Sequence, residues 1–176
     1  MKKAQVAGQI FIYIIAIVVV GLIIVYGYSA IKGFSQKGEQ VEYINLKTGM
    51  ENAFKSIVSD YGSIKRPDID IPGKYKMVCF VDINRKVAAE TFSLCSKEGP
   101  DDPIYEPVVC SSWQIGTDNV YLVPDGSESW NVGPIIFKND HKPYAGEGFM
   151  CFDVKNNKIK MQLKSLGDKV EVSEYT

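Results

Sequence analysis

From Ala4 to Ile31 the chain carries no charged side chain, and Ile10–Tyr26 is almost wholly aliphatic. A helix of about 20 apolar residues matches the thickness of a bilayer core. A helix lying on a soluble core would instead show a polar stripe at helical spacing. No such stripe is present, so the pattern predicts a membrane-spanning helix over residues 5–31. Ile10, Tyr13 and Gly21 fall inside this span, and Tyr26 and Tyr28 fall where an interfacial aromatic belt would anchor its outer end. A cleaved secretory signal peptide has a shorter apolar run, about 7–15 residues, closed by a small-x-small site. This run is longer, and "YSA" before Ile31 matches that site poorly. The helix is expected to stay on the protein.

Past the apolar run the period remains helical but becomes two-faced. Met50, Phe54, Ile57, Val58 and Tyr61 recur at three-and-four spacing, with Glu51, Asn52, Lys55 and Ser56 on the other side. An amphipathic helical continuation over residues 32–63 follows. It is either one long helix with the span or a separate helix broken at Gly33, Gly38 or Gly49. Pro67 and Pro72 end the helical part.

From residue 64 to 176 the pattern turns to β-structure. "KYKMVCFVDI", "DNVYLVPDG" and "VGPIIFKND" read as strands, and "GFMCFDVKNNKIKMQL" reads as a hairpin turning at Asn156–Asn157. Ile159, Met161 and Leu163 alternate with Lys158, Lys160, Gln162 and Lys164, and Val170 and Val172 repeat the alternation. One face there is wet and one is buried. "NRKVAAETF" reads as a short helix. The expected fold class is α+β: a long N-terminal helix followed by a mainly antiparallel sheet or small sandwich of about seven strands, packed on the helix.

Four cysteines, Cys79, Cys95, Cys110 and Cys151, all lie beyond the apolar run. Zinc sites bring thiolates in close pairs, and no such pair occurs here; His141 is the single histidine. An even cysteine count in a small domain reads as two disulfides formed outside the reducing cytoplasm. Three pairings are open. The similar strand-like contexts of Cys79 and Cys151 favour joining them, and the loop-like stretch between Cys95 and Cys110 favours the second bridge. An oxidised domain outside agrees with Lys2 and Lys3 holding the N-terminus on the cytoplasmic side.

The formal net charge of −1 hides an asymmetry, because Lys2 and Lys3 are the only charges before Lys32 and the rest of the chain is acidic in balance. No basic stripe interleaves with aromatics, which excludes a nucleic-acid surface. No nucleophile, base and oxyanion site are grouped as a hydrolase requires, so neither an enzyme nor a cofactor is expected. Asp101, Asp102, Asp125 and Glu128 lack the spacing of an EF-hand loop and read as solvated turn residues. Trp113, Trp130, Tyr105 and Tyr121 read as core before they read as a protein- or glycan-binding face. No N-x-S/T acceptor is present.

The leader "KKAQVAGQIF" is similar to the class III signal peptides of archaeal type IV pilin-like proteins. The resemblance covers roughly the first thirty residues. It places Lys3 and Ala4 before the cleavage point, Gln5 as the first mature residue and Gln9 at the fifth mature position. It implies that a prepilin-type peptidase removes residues 1–4, that the apolar helix is retained in the membrane, and that copies self-associate through it. Gln9 stands where the family usually has Glu; it keeps hydrogen-bonding capacity without the charge. The resemblance implies a structural subunit. The other expectation from the residues alone is a membrane-tethered domain that binds a protein or glycan partner without assembling.

Overall fold

The computed structural model describes residues 3–85, 94–95, 105–124, 128–138, 145–146 and 148–175. The chain divides into two compact units, Met1–Val41 and Glu42–Thr176. Helix α1, Lys3–Val58, begins in the first unit and ends in the second. Gly33, Gly38 and Gly49 do not interrupt its helical hydrogen bonding. The fold is α+β.

The second unit is built from the last turns of α1, a short helix α2 (Pro107–Ile115) and nine strands among the described residues. These are β1 (Ile64–Lys65), β2 (Met77–Val81), β3 (Val120–Val123), β4 (Ser129–Trp130), β5 (Ile135–Phe137), β6 (Ala145–Gly146), β7 (Phe149–Asp153), β8 (Met161–Ser165) and β9 (Val170–Glu174). They form two sheets, a four-stranded one in the order β1-β8-β9-β5 and a five-stranded one in the order β4-β3-β2-β7-β6. All pairings are antiparallel except β5 with β9.

The helix joins this unit through one apolar face. Leu46, Met50, Phe54 and Ile57 are buried against Ile135, Met161, Leu163, Val170 and Val172 of the four-stranded sheet and Val78, Phe80, Val120 and Leu122 of the five-stranded one. Phe54 stacks on Phe80 with ring centroids 6.0 Å apart, and Phe80 meets Phe152 edge-on at 5.7 Å. Tyr61, expected on this face, is 78% exposed. The helix ends at Val58, and the chain turns through Gly62, whose φ of +80° suits glycine. Ser165 receives that helix end: its Oγ donates to the Val58 carbonyl at 3.1 Å and accepts from the Gly167 N–H at 3.2 Å. An otherwise orphaned C-terminal carbonyl is thereby satisfied inside the core.

The predicted hairpin over residues 148–163 is corrected. Asn156 and Asn157 do form the turn, with φ of +53° and +60°, and Lys155 bridges Lys158 across it. Beyond that one bridge the strands part. β7 pairs with β2 in one sheet, while β8 pairs with β9 and β1 in the other. The turn therefore carries the chain between layers. The alternation at β8 and β9 holds: Met161, Leu163, Val170 and Val172 are all buried.

Candidate functional site

Two features separate this chain from a plain globular domain: an uncovered apolar helix and a doubly cross-linked outer core. Between Ile10 and Ile31 the large apolar side chains are 46% to 73% exposed. Among the described residues, α1 is the one helix long and apolar enough to cross a membrane, and its most apolar stretch is not buried by the rest of the chain. Ile10 and Tyr13 sit on this surface, and Tyr26 and Tyr28, both 72% exposed, lie near its distal end. A Cβ added at Gly21, Gly27 or Gly33 would meet nothing within 4 Å. Lys3, Ala4, Gln5 and Gln9 fall in the first turns of α1, whose opening turn holds no acidic residue.

The central strands of the five-stranded sheet, β2, β3 and β7, are buried on both faces. On β2, Val78 and Phe80 face the helix, whereas Cys79 and Val81 face away; β3 divides Val120 and Leu122 from Tyr121 and Val123, and β7 divides Met150 and Phe152 from Phe149 and Cys151. The outward set forms a second, smaller core with Leu94, Val109 and Trp113, roofed by α2. Both disulfides border it. Cys79–Cys151 joins directly opposed residues of β2 and β7, with Cα atoms 4.0 Å apart. The Lys76–Val154 and Asp82–Gly148 hydrogen bonds set the ladder's phase, so Cys79 and Cys151 occupy the close, non-hydrogen-bonded pairing. Cys95–Cys110 ties Leu94's neighbour to α2 with Cα atoms 5.3 Å apart. No described cysteine is free. Both pairings are the ones favoured from sequence context, and oxidised cysteines fit a domain folded in an oxidising compartment.

Helix α2 was not expected from the sequence. Its signals are Pro107 at the first helical positions and the buried trio Val109, Cys110 and Trp113 at helical spacing. The preceding proline- and aspartate-rich stretch masked them. Asn119 was also missed. It is fully buried, its Nδ2 donates to the Gly133 carbonyl at 2.6 Å, and its Oδ1 accepts from the Val132 N–H at 2.9 Å. A buried amide satisfied on both sides has no hydropathy signature.

The aromatics are core rather than a binding face. Trp113, Trp130 and Tyr121 are at most 3% exposed, and only Tyr105 reaches the surface. The Trp113 indole N–H donates to the Asp82 carbonyl at 2.9 Å. Of the acidic residues singled out, Glu128 pairs with Lys74 at 3.5 Å, while Asp101, Asp102 and Asp125 lie outside the described residues, as do His141 and all but the start of "NRKVAAETF". Among the described residues no group of three or more His, Cys, Asp or Glu is placed to hold a metal ion. A cleft of about 740 Å³ opens beside β7, lined by Arg66, Asp68, Asp153, Lys158 and Tyr175. Two of its basic side chains make contacts within the chain. Arg66 donates to Gln162 at 3.0 Å and covers the Tyr175 ring, and Lys158 bridges Asp68 and Asp70. The hydrogen bond with Asp68 raises the Lys158 pKa.

Tyr121 gives the outer core a pH signature. Burial, with the nearby Asp118 carboxylate adding to it, pushes its phenol up to about 12, and its O–H donates to the Asp118 carbonyl at 3.0 Å. The folded state thus holds this proton more tightly than the unfolded chain does. Stability from this group is complete below about pH 10, the ordinary tyrosine value, and is lost as pH rises through about 12. Relative to a Tyr121→Phe variant, the wild-type chain should lose on the order of 2 kcal/mol across that window, read by urea unfolding at stepped alkaline pH. Equal alkaline limbs in the two proteins would contradict this.

Compared with protein-family models, with curated proteins and with solved structures, the chain matches none.

Proposed function

We propose that the protein is a single-pass membrane-anchored structural subunit of pilin-like type, with residues 5–31 in the bilayer, the N-terminus cytoplasmic and the disulfide-bonded unit outside. The observation that carries this reading is the apolar surface of α1 from Ile10 to Ile31, left uncovered among the described residues. In water, roughly 25 cal/mol is forfeited per Å² of apolar surface left exposed. More than ten large apolar side chains exposed within Ile10–Ile31 call for a lipid or helical neighbour. Lys2 and Lys3 on one side and two disulfides on the other support the orientation. The similarity of the leader to class III signal peptides supports cleavage between Ala4 and Gln5 and self-association of the retained helix.

The test is the mass of the N-terminal peptide of protein isolated from its native membrane. A chain beginning at Gln5 is the expected result and makes filament membership the working model. A chain beginning at Met1 or Lys2 overturns processing by a prepilin-type peptidase and leaves a tethered ectodomain. A start well beyond Tyr28 would overturn membrane anchoring itself.

A further inference from the structure

The two cores of the second unit are held by different means. The inner one is large, drawing on α1 and both sheets, whereas the outer one has nine buried members among the described residues. The two disulfides bordering it differ in position. Cys79–Cys151 lies within the five-stranded sheet, with Cys79 fully buried and Cys151 5% exposed. Cys95–Cys110 instead connects the roof to itself: Cys110 is on α2, and Cys95 follows Leu94, whose carbonyl accepts from the Glu106 N–H at the start of α2. Cys95 is half-buried, the most accessible of the four cysteines. α2 has no side-chain cap at its N-terminus and is nine residues long, too short to persist without its tertiary contacts.

We infer that Cys95–Cys110 is a redox latch on the outer core. Its reduction releases the roof formed by Leu94 and α2 and bares Val81, Tyr121, Val123 and Phe149 on the outer face of the five-stranded sheet, while the inner core stays folded. The step is a thiol–disulfide exchange with a dithiol reductant. A thiolate attacks Cys95 Sγ, the Cys95–Cys110 bond breaks, and Cys110 leaves as a thiolate that takes up a proton. The second thiol of the reductant then displaces Cys95, so two electrons and two protons reach the protein and the reductant becomes a disulfide. A chain still in a reducing compartment therefore displays an apolar sheet face that oxidation later covers.

The full-length chain in detergent micelles tests this with dithiothreitol as the reductant. Timed thiol alkylation and peptide mapping should label Cys95 and Cys110 at least tenfold faster than Cys79 and Cys151. In the same partly reduced protein, amide hydrogen exchange across Pro107–Ile115 should accelerate at least tenfold, with Met161–Ser165 and Val170–Glu174 changing less than twofold. A Cys95→Ala/Cys110→Ala variant should reproduce the exchange pattern without reductant. The latch is overturned if all four cysteines label together, if exchange in α2 is unchanged after Cys95–Cys110 opens, or if both cores lose protection at once.

Discussion

Replacing Phe54 by alanine is expected to lower the unfolding free energy of the second unit by about 3–5 kcal/mol. Phe54 is fully buried at the centre of the inner core, in ring contact with Phe80, which in turn contacts Phe152. The substitution removes a large apolar side chain and leaves a void that the helix on one side and two hydrogen-bonded sheets on the other cannot close. A single domain is typically stable by about 5–15 kcal/mol, so the loss brings this one close to unfolding at ordinary temperature. Urea unfolding of the full-length chain in detergent, followed by the emission of Trp130 in the same core, measures it. Tyr61→Ala is the control. Tyr61 lies one turn further along the same sequence pattern but stands 78% exposed, and surface changes of that kind are usually within about 0.5 kcal/mol. A Phe54 loss no larger than the Tyr61 loss would mean that the end of α1 is not a core element.

The second large effect is on the Cys79–Cys151 bridge. A Cys79→Ala/Cys151→Ala chain should be less stable than the oxidised wild type by about 4 kcal/mol, because the bridge spans 72 residues and restricts the unfolded chain accordingly. The corresponding figure for Cys95–Cys110, spanning 15 residues, is about 3 kcal/mol. The dependence on loop length is logarithmic, so the two bridges differ little in overall stabilisation. They differ in what their loss should do. β2 and β7 remain paired along five registered positions without their bridge, so its removal should shift the cooperative unfolding midpoint of the whole unit. Loss of the latch should appear first in α2. Denaturant midpoints for the two double variants, each compared with the oxidised parent, separate these behaviours. A Cys79→Ala/Cys151→Ala chain with an unchanged midpoint would show that the strand ladder alone sets the register.

Much of this protein is written in short-range periodicity. The uncharged run to Ile31 specifies a helix that water does not suit, because no rotation of it offers a polar face. Met50, Phe54 and Ile57 are spaced for one helical face and are all fully buried. The alternation through Met161, Leu163, Val170 and Val172 names the buried side of β8 and β9, since successive strand residues point to opposite faces. Asn156 and Asn157 mark the turn between β7 and β8 because asparagine tolerates positive φ.

Tertiary structure alone decided which strands pair and how many layers there are. β2, β3 and β7 read as unbroken apolar runs because both their faces are covered, and a run without alternation carries no instruction about which residue meets which core. The Asn156–Asn157 turn looks like the centre of a hairpin, yet a turn directs only the few residues beside it, and β8 gains more by joining β9 and β1. Sequence context favours joining Cys79 to Cys151, and the β2–β7 register, a relation between residues far apart in the chain, sets them directly opposite each other. Helix α2 exists because an apolar sheet face needed a roof, and nine residues with Pro107 at the start do not hold a helix by propensity. Local pattern determined the helix, the turn and the buried sides. Long-range burial decided the partners.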